Sequence, residues 1–164
     1  MFEETVPVFI RSLNALTTQL DKAEAHCVET GTDPAKLLTA RLAPDMWTFT
    51  QQVAAATDHS RRCMYRLTGT QPVPMDDCAP TFDALRGRIA ASLEVIRATP
   101  RAAIDAGRDR MVPLPVDGKV TDTPGPDYLR HFLLPNFYFH CATAYAILRA
   151  NGVGLSKPDY IGNL

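Results

Sequence analysis

The chemistry-bearing residues of this chain gather on two stretches. Late in the sequence, Asn136, His140 and Thr143 recur at steps of four and three inside the apolar run LRHFLLPNFYFHCATAYAILRANG, residues 129–152. At about 100° per residue a helix puts them on one side, with Phe132 and Ile147 before and after them on the same stripe. A polar cluster inside an apolar stripe must find hydrogen-bond partners in the core or receive them from a ligand. Asn136 and Thr143 are therefore candidate contacts for a small-molecule ligand or cofactor. The other stretch, TFTQQVAAATDHSRRCMYRLTG, carries His59 and Cys63 four residues apart, which puts them on a shared helical face. A histidinium beside a thiol lowers its pKa and makes it reactive. Cys141 adjoins His140 without that use, because neighbours on a helix diverge. The plainer reading is that both histidines are hydrogen-bonded core residues, with Asn136 one of the partners.

Composition narrows the classes. The four cysteines, Cys27, Cys63, Cys78 and Cys141, form no Cys-x-x-Cys pair. That spacing fits reduced, buried thiols and neither a zinc ribbon nor a disulfide scaffold. With 164 residues, 46% hydrophobic and 21% charged, the chain reads as one domain, 1–164, able to bury a sizeable core. A net charge of −1 offers no pull toward nucleic acid or an anionic membrane. No run of about 18 apolar, uncharged residues exists to span a bilayer. The stretch MFEETVPVF has acidic residues where a secretion signal carries basic ones, so the expectation is a cytoplasmic protein.

The elements that must position the candidates come from periodicity. Val6, Phe9, Leu13, Leu16, Leu20 and Ala23 predict a helix over 3–28, with Pro7 tolerated in its first turns and Glu3 and Glu4 suiting its positive end. Asp33 is the expected cap of a short helix, Pro34 to Arg41. Asp45 is the expected cap of the second long helix, which runs to about Leu67 with Met46, Phe49, Val53, Ala56, Ser60, Met64 and Leu67 as its stripe. Thr81 caps a third through Ile96, burying Phe82, Leu85, Ile89 and Leu93. From Pro100 to Pro126 the helical period fails, and Asp117-Gly118 signals a hairpin whose nearby prolines restrict it to edge strands. The last helix starts near Gly125, contains Pro135, and ends at Gly152 as its C′ residue. The tail VGLSKPDYIGNL has no helix signal, and Tyr160 and Ile161 are expected to pack it back on the bundle. Four long amphipathic segments with a long crossover before the last predict an all-α four-helix bundle.

LPNFYFHCATAYAILRANGV followed by LSKPDYIG resembles the C-terminal signature of an uncharacterised bacterial family, a domain of unknown function within the DinB/YfiT-like superfamily of metalloenzymes. The match extends more weakly over most of the chain, including TFTQQVAAATDHSRRCMYRLTG. The resemblance implies a DinB-like bundle and its order of helices. Many superfamily members hold a divalent metal on three histidines, one on the second helix and a His-x-x-x-His pair late in the chain. His59 falls at the first of these positions and His140 at the last, but Asn136 stands where the pattern has its other histidine. An asparagine oxygen is a poor ligand for zinc or nickel. His131, nine residues before His140, faces the opposite way on a regular helix. Cys63 could supply a thiolate, with His26 and Asp58 as further donors. The resemblance thus sets up a divalent ion (zinc, nickel or manganese) on His59, His140 and Cys63, beside the plainer reading of core histidines. Some relatives are thiol-dependent transferases or isomerases that use the metal to activate a small thiol.

Two function classes stay open. One is a metal-dependent or degenerate metal-site enzyme with a pocket between the second and fourth long helices. The other is a non-catalytic bundle, either a small-ligand binder or an oligomeric interaction or stress-response module. Arg61, Arg62 and Arg66 read as a solvated helix face. Phe137, Tyr138, Phe139 and Tyr145 are too many aromatics for one inward stripe, which predicts a homodimer.

Overall fold

The computed structural model describes residues 1–75, 77–116 and 118–162. In chain order its elements are α1 (Val6–Thr30), α2 (Pro34–Leu38), α3 (Phe49–Thr68), α4 (Phe82–Ala98), α5 (Arg101–Asp105), β1 (Met111–Val116), β2 (Lys119–Pro124), α6 (Gly125–Asp127), α7 (Leu134–Ala150) and α8 (Lys157–Ile161). Single 3₁₀ turns occupy Phe2–Glu4 and Ala106–Asp109, and a wide π turn spans Tyr128–Leu133. The four long helices pack in the order α1, α4, α3, α7 around the core, so that α7 lies between α1 and α3. Every stripe residue expected inside α1 and α4 is buried, as are Phe49, Val53, Ala56, Ser60, Met64 and Leu67 of α3.

The helices begin where a side chain satisfies their first free N–H groups. Asp33 Oδ1 accepts from Ala35 N at 2.9 Å and Thr81 Oγ1 from Ala84 N at 3.1 Å, as the sequence predicts. At α3 the cap is Thr48, not Asp45. Gln51 N donates to Thr48 Oγ1 at 3.3 Å while Thr48 N donates to Gln51 Oε1 at 2.8 Å. This reciprocal box satisfies two donors where Asp45 could satisfy one, so the helix starts later and leaves Met46 and Trp47 in the loop ahead of it.

Pro135 stands in the first turn of α7, where its missing N–H costs least. The turn before it widens, with Leu134 N donating to the Leu129 carbonyl five residues back. The wider turn gives the proline ring room and asks no donor of it. Two further corrections concern the second half of the chain. The crossover holds one helical turn, α5, before the antiparallel pair β1–β2, in which Val116 pairs with Lys119. Of the expected Asp117-Gly118 turn, Asp117 lies outside the described residues. Both strands are edges, which is why Pro113 and Pro115 are tolerated in β1. The tail is not helix-free: Ser156 and Asp159 form a capping box that starts α8. Asp159 then pairs with Lys22 at 2.6 Å and accepts from Gln19, docking α8 on α1. Tyr160 packs against Tyr145 with ring centroids 5.9 Å apart, whereas Ile161 stays exposed.

Gly87 sits exposed in the middle of α4, and a Cβ added there meets nothing within 4 Å. Gly87→Ala should therefore raise stability by about 1 kcal/mol through helix propensity alone. Urea unfolding followed by circular dichroism measures this; a lower midpoint would show that this face of α4 is covered in solution.

Candidate functional site

α3 and α7 lie side by side, and their facing stripes carry the two histidines into contact. The rings of His59 and His140 stack with centroids 5.2 Å apart and planes 20° from parallel. The indole of Trp47 also stacks on His140, at 5.5 Å and 11°. Phe132 meets His59 edge-on, and Phe139 meets His140 in the same way. A cavity of about 380 Å³ opens against these rings, bordered by Trp47, Gln52, His59, Asn136, Phe139 and His140. Its mouth is apolar, with Trp47 51% and Phe139 54% exposed, while His140 is 7% and Gln52 2% exposed.

His140 is held by a residue that helical periodicity does not single out. Its Nδ1 lies 2.7 Å from Gln52 Oε1, and the Gln52 amide nitrogen donates to the Trp47 carbonyl. An amide oxygen only accepts, so Nδ1 carries the proton and Nε2 keeps its lone pair. Gln52 precedes His59 by seven residues, two turns along the same face of α3, and that spacing was the available signal. Trp47 left no periodic trace because it lies in the loop before α3.

Burial keeps both imidazoles neutral. His59 is pushed down to about 4, chiefly by desolvation, with the neighbouring His140 and the Arg62 charge adding to it against Asp58. Desolvation alone lowers His140. The pair thus presents neutral nitrogens inside an aromatic frame at physiological pH.

The other candidates meet different surroundings. Asn136 borders the cavity, but its Nδ2 donates to the Phe132 carbonyl at 2.6 Å and not to an imidazole, leaving its oxygen and one N–H for a ligand. Thr143 is buried farther along α7 and does not border the cavity. Cys63 is wholly buried, does not border the cavity, and desolvation pushes its thiol pKa up. Asp58 is engaged by Arg88 at 2.7 Å and by Arg62 at 3.6 Å. His26 packs instead near Gly152 at the end of α7, and His131 is exposed. Among the described residues, no three His, Cys, Asp or Glu side chains approach closely enough to hold one ion. All four cysteines are unpaired. Among the described residues, no helix is long and apolar enough to cross a membrane.

One surface expectation changes as well. Arg61 is not part of a solvated face: it is buried, and its Nη2 donates to the Val73 carbonyl at 2.8 Å. Of the four aromatics on the last helix, Phe137 lies in the core against Phe9 and Tyr145 packs on Tyr160. Tyr138 and Phe139 remain exposed.

Comparison with known proteins agrees with this architecture. Residues 1–161 match a family described as a domain of unknown function, DUF1993. The chain is similar to the crystal structure of a DinB family member protein from Shewanella denitrificans, at 34% identity with a TM-score of 0.92, covering 99% of this chain and 92% of that one. No curated protein matches.

The neutral histidine pair sets a pH dependence. Unfolded imidazoles take up protons near pH 6.5, whereas His59 in the fold resists until about 4. Unfolding therefore binds protons across that window, and stability falls as pH drops from about 6.5 toward 4. The double variant His59→Gln, His140→Gln should show a shallower loss of urea midpoint over this range. Equal slopes in the two proteins would mean that the imidazoles titrate normally in the fold.

Proposed function

The chain belongs to the DUF1993 family, and from that premise we propose that it is a small-ligand-binding DinB-like bundle whose metal site is degenerate. The cleft between α3 and α7 is the binding site. One observation carries the reading: His59 and His140 face a single cavity as neutral rings, with an amide where a third strong donor would stand. Catalytic zinc takes about three protein donors and structural zinc about four. Two imidazoles and an amide oxygen do not fit a resident zinc or nickel ion. They do suit a small apolar molecule that offers a hydrogen-bond donor to an imidazole nitrogen and lies against Trp47 and Phe139. The homodimer remains a proposal that rests on exposed Tyr138 and Phe139.

One observation favours a second reading. The bond from His140 Nδ1 to Gln52 is the kind that orients a metal-binding imidazole, leaving Nε2 free to coordinate. A divalent ion could then stay only when a ligand completes its coordination, with affinity below that of a three-histidine site.

Elemental analysis of the purified protein and thermal melts with zinc, nickel and manganese separate the two. Under the first reading the protein carries far less than one metal per chain, and no ion produces a shift that depends on the histidines. Metal-induced stabilisation lost in both His59→Ala and His140→Ala would replace it with the second. Trp47 is the chain's one tryptophan and reports directly on the cleft. Phenol, an aromatic ring with one donor, should change its emission saturably in the native chain and not in His140→Ala; no change would count against ligand binding at the cleft.

A further inference from the structure

Three guanidinium groups border one cavity at the far end of α3. Arg62 and Arg66 project from the helix and Arg110 from the crossover, around a space of about 420 Å³ walled otherwise by Tyr65, Met111 and Pro113 among others. Three cations around one space repel one another unless carboxylates balance them. Here they do so only weakly. Arg62 has Asp58 at 3.6 Å, but that carboxylate is already bound to Arg88 at 2.7 Å. Among the described residues neither Arg66 nor Arg110 has an ion-pair partner. In a chain of net charge −1, this cluster is not a by-product of overall basicity.

The cations are also held in place. Arg66 lies over the Tyr128 ring, 5.4 Å from its centroid. Arg110 Nε donates to the Leu67 carbonyl at 3.2 Å, and its guanidinium lies where a side chain at Gly69 would stand. Gly69, at φ 72, ends α3 and leaves that space open. A Cβ on Gly125 would collide with the Gly107 carbonyl, so these two glycines let the crossover seat closely and bring Arg110 to the helix end. The remaining wall, the loop through Pro72, is tied to α3 by Arg61. Ring packing and a backbone bond hold Arg66 and Arg110 and leave N–H groups of their guanidinium forks unspent, with the exposed Arg62 beside them, which is the arrangement of an anion receptor.

We propose that this cavity binds a small organic anion, a carboxylate or phosphate monoester carried on an apolar body. The anionic end is set by the three guanidinium groups. The apolar body is set by Tyr65, Met111 and Pro113, and the volume lies within the range of small-molecule sites. This site is independent of the reading given to the imidazole cleft, although Arg62 also borders a smaller hollow beside His59 and Trp47.

The test is isothermal titration of the full chain with phenyl phosphate, benzoate and inorganic phosphate at low and moderate salt. Saturable one-to-one binding of phenyl phosphate or benzoate is expected, tighter than inorganic phosphate and weakened by salt. Which of the two binds better identifies the anionic group. Arg66→Gln and Arg110→Gln should each lower affinity on the order of tenfold. His140→Ala should leave it unchanged. Thermal melts check folding, and Arg62→Gln serves if Arg110→Gln unfolds, since Arg62 makes no bond to the backbone of α3 or the crossover among the described residues. No saturable binding by any probe, or binding indifferent to these variants, overturns the proposal and leaves the arginines as packing groups. Equal affinity for phenyl and inorganic phosphate overturns the apolar body.

Discussion

A single buried hydrogen bond, from His140 Nδ1 to Gln52 Oε1, organises the seam on which the candidate site is built. An imidazole taken out of water without a partner would cost roughly 1–3 kcal/mol, so α3 and α7 can close on His140 only with Gln52 opposite it. That bond fixes the tautomer and the ring plane. Through the ring plane it fixes the stacking of Trp47 and of His59 on His140. Burial of both rings at this seam lowers their pKa values and holds both neutral. Polarity in the seam thus serves the orientation of rings more than the stability of the bundle.

The crossover has a comparable role at the opposite end of α3. A chain segment rich in proline and short of apolar period could have been a mere connection. Instead Gly107 and Gly125 allow it to lie against the helix end, and Arg110 uses the Leu67 carbonyl, in the last turn of α3, as its anchor. A cation there also meets the negative end of the helix dipole. The same segment buries Ile104, Val112 and Leu114 in the main core, so its position is set by hydrophobic burial as well as by hydrogen bonds.

Much of the fold was legible because its signals are periodic or local. The stripes of α1, α3 and α4, the caps Asp33 and Thr81 and the hairpin before the last helix all come from spacing. The failures have physical causes. Asp45 and Thr48 both lie near the start of α3, and only the reciprocal partner Gln51 decides between them. α8 was overlooked although Ser156 and Asp159 stand three apart, because a five-residue helix has no stripe to display. At the site, spacing put Asn136 and His140 on one stripe of the last helix, and the family resemblance paired His140 with His59 across the bundle. Spacing put Gln52 on the face of His59 but could not pair it with His140, since a glutamine on an apolar face is silent about what it meets across the bundle. Nor could it foresee that Cys63, on the same helix as His59, points into the dry core, or that Arg61 would bury its head against the carbonyl of Val73.

The wide turn at Tyr128–Leu133 works as a phase shifter between two halves of one rod. It inserts the equivalent of one residue into the helical count, so everything upstream of Pro135 is about 100° out of step with the residues downstream of it. Tyr128, at the start of that turn, is fully buried. A relative with a regular helix and one residue fewer at this point would keep its cleft intact and turn the upstream segment to a different face. Alignments within such a family should therefore open a one-residue gap there, and a histidine pair counted across it obeys a different spacing rule from one counted below it.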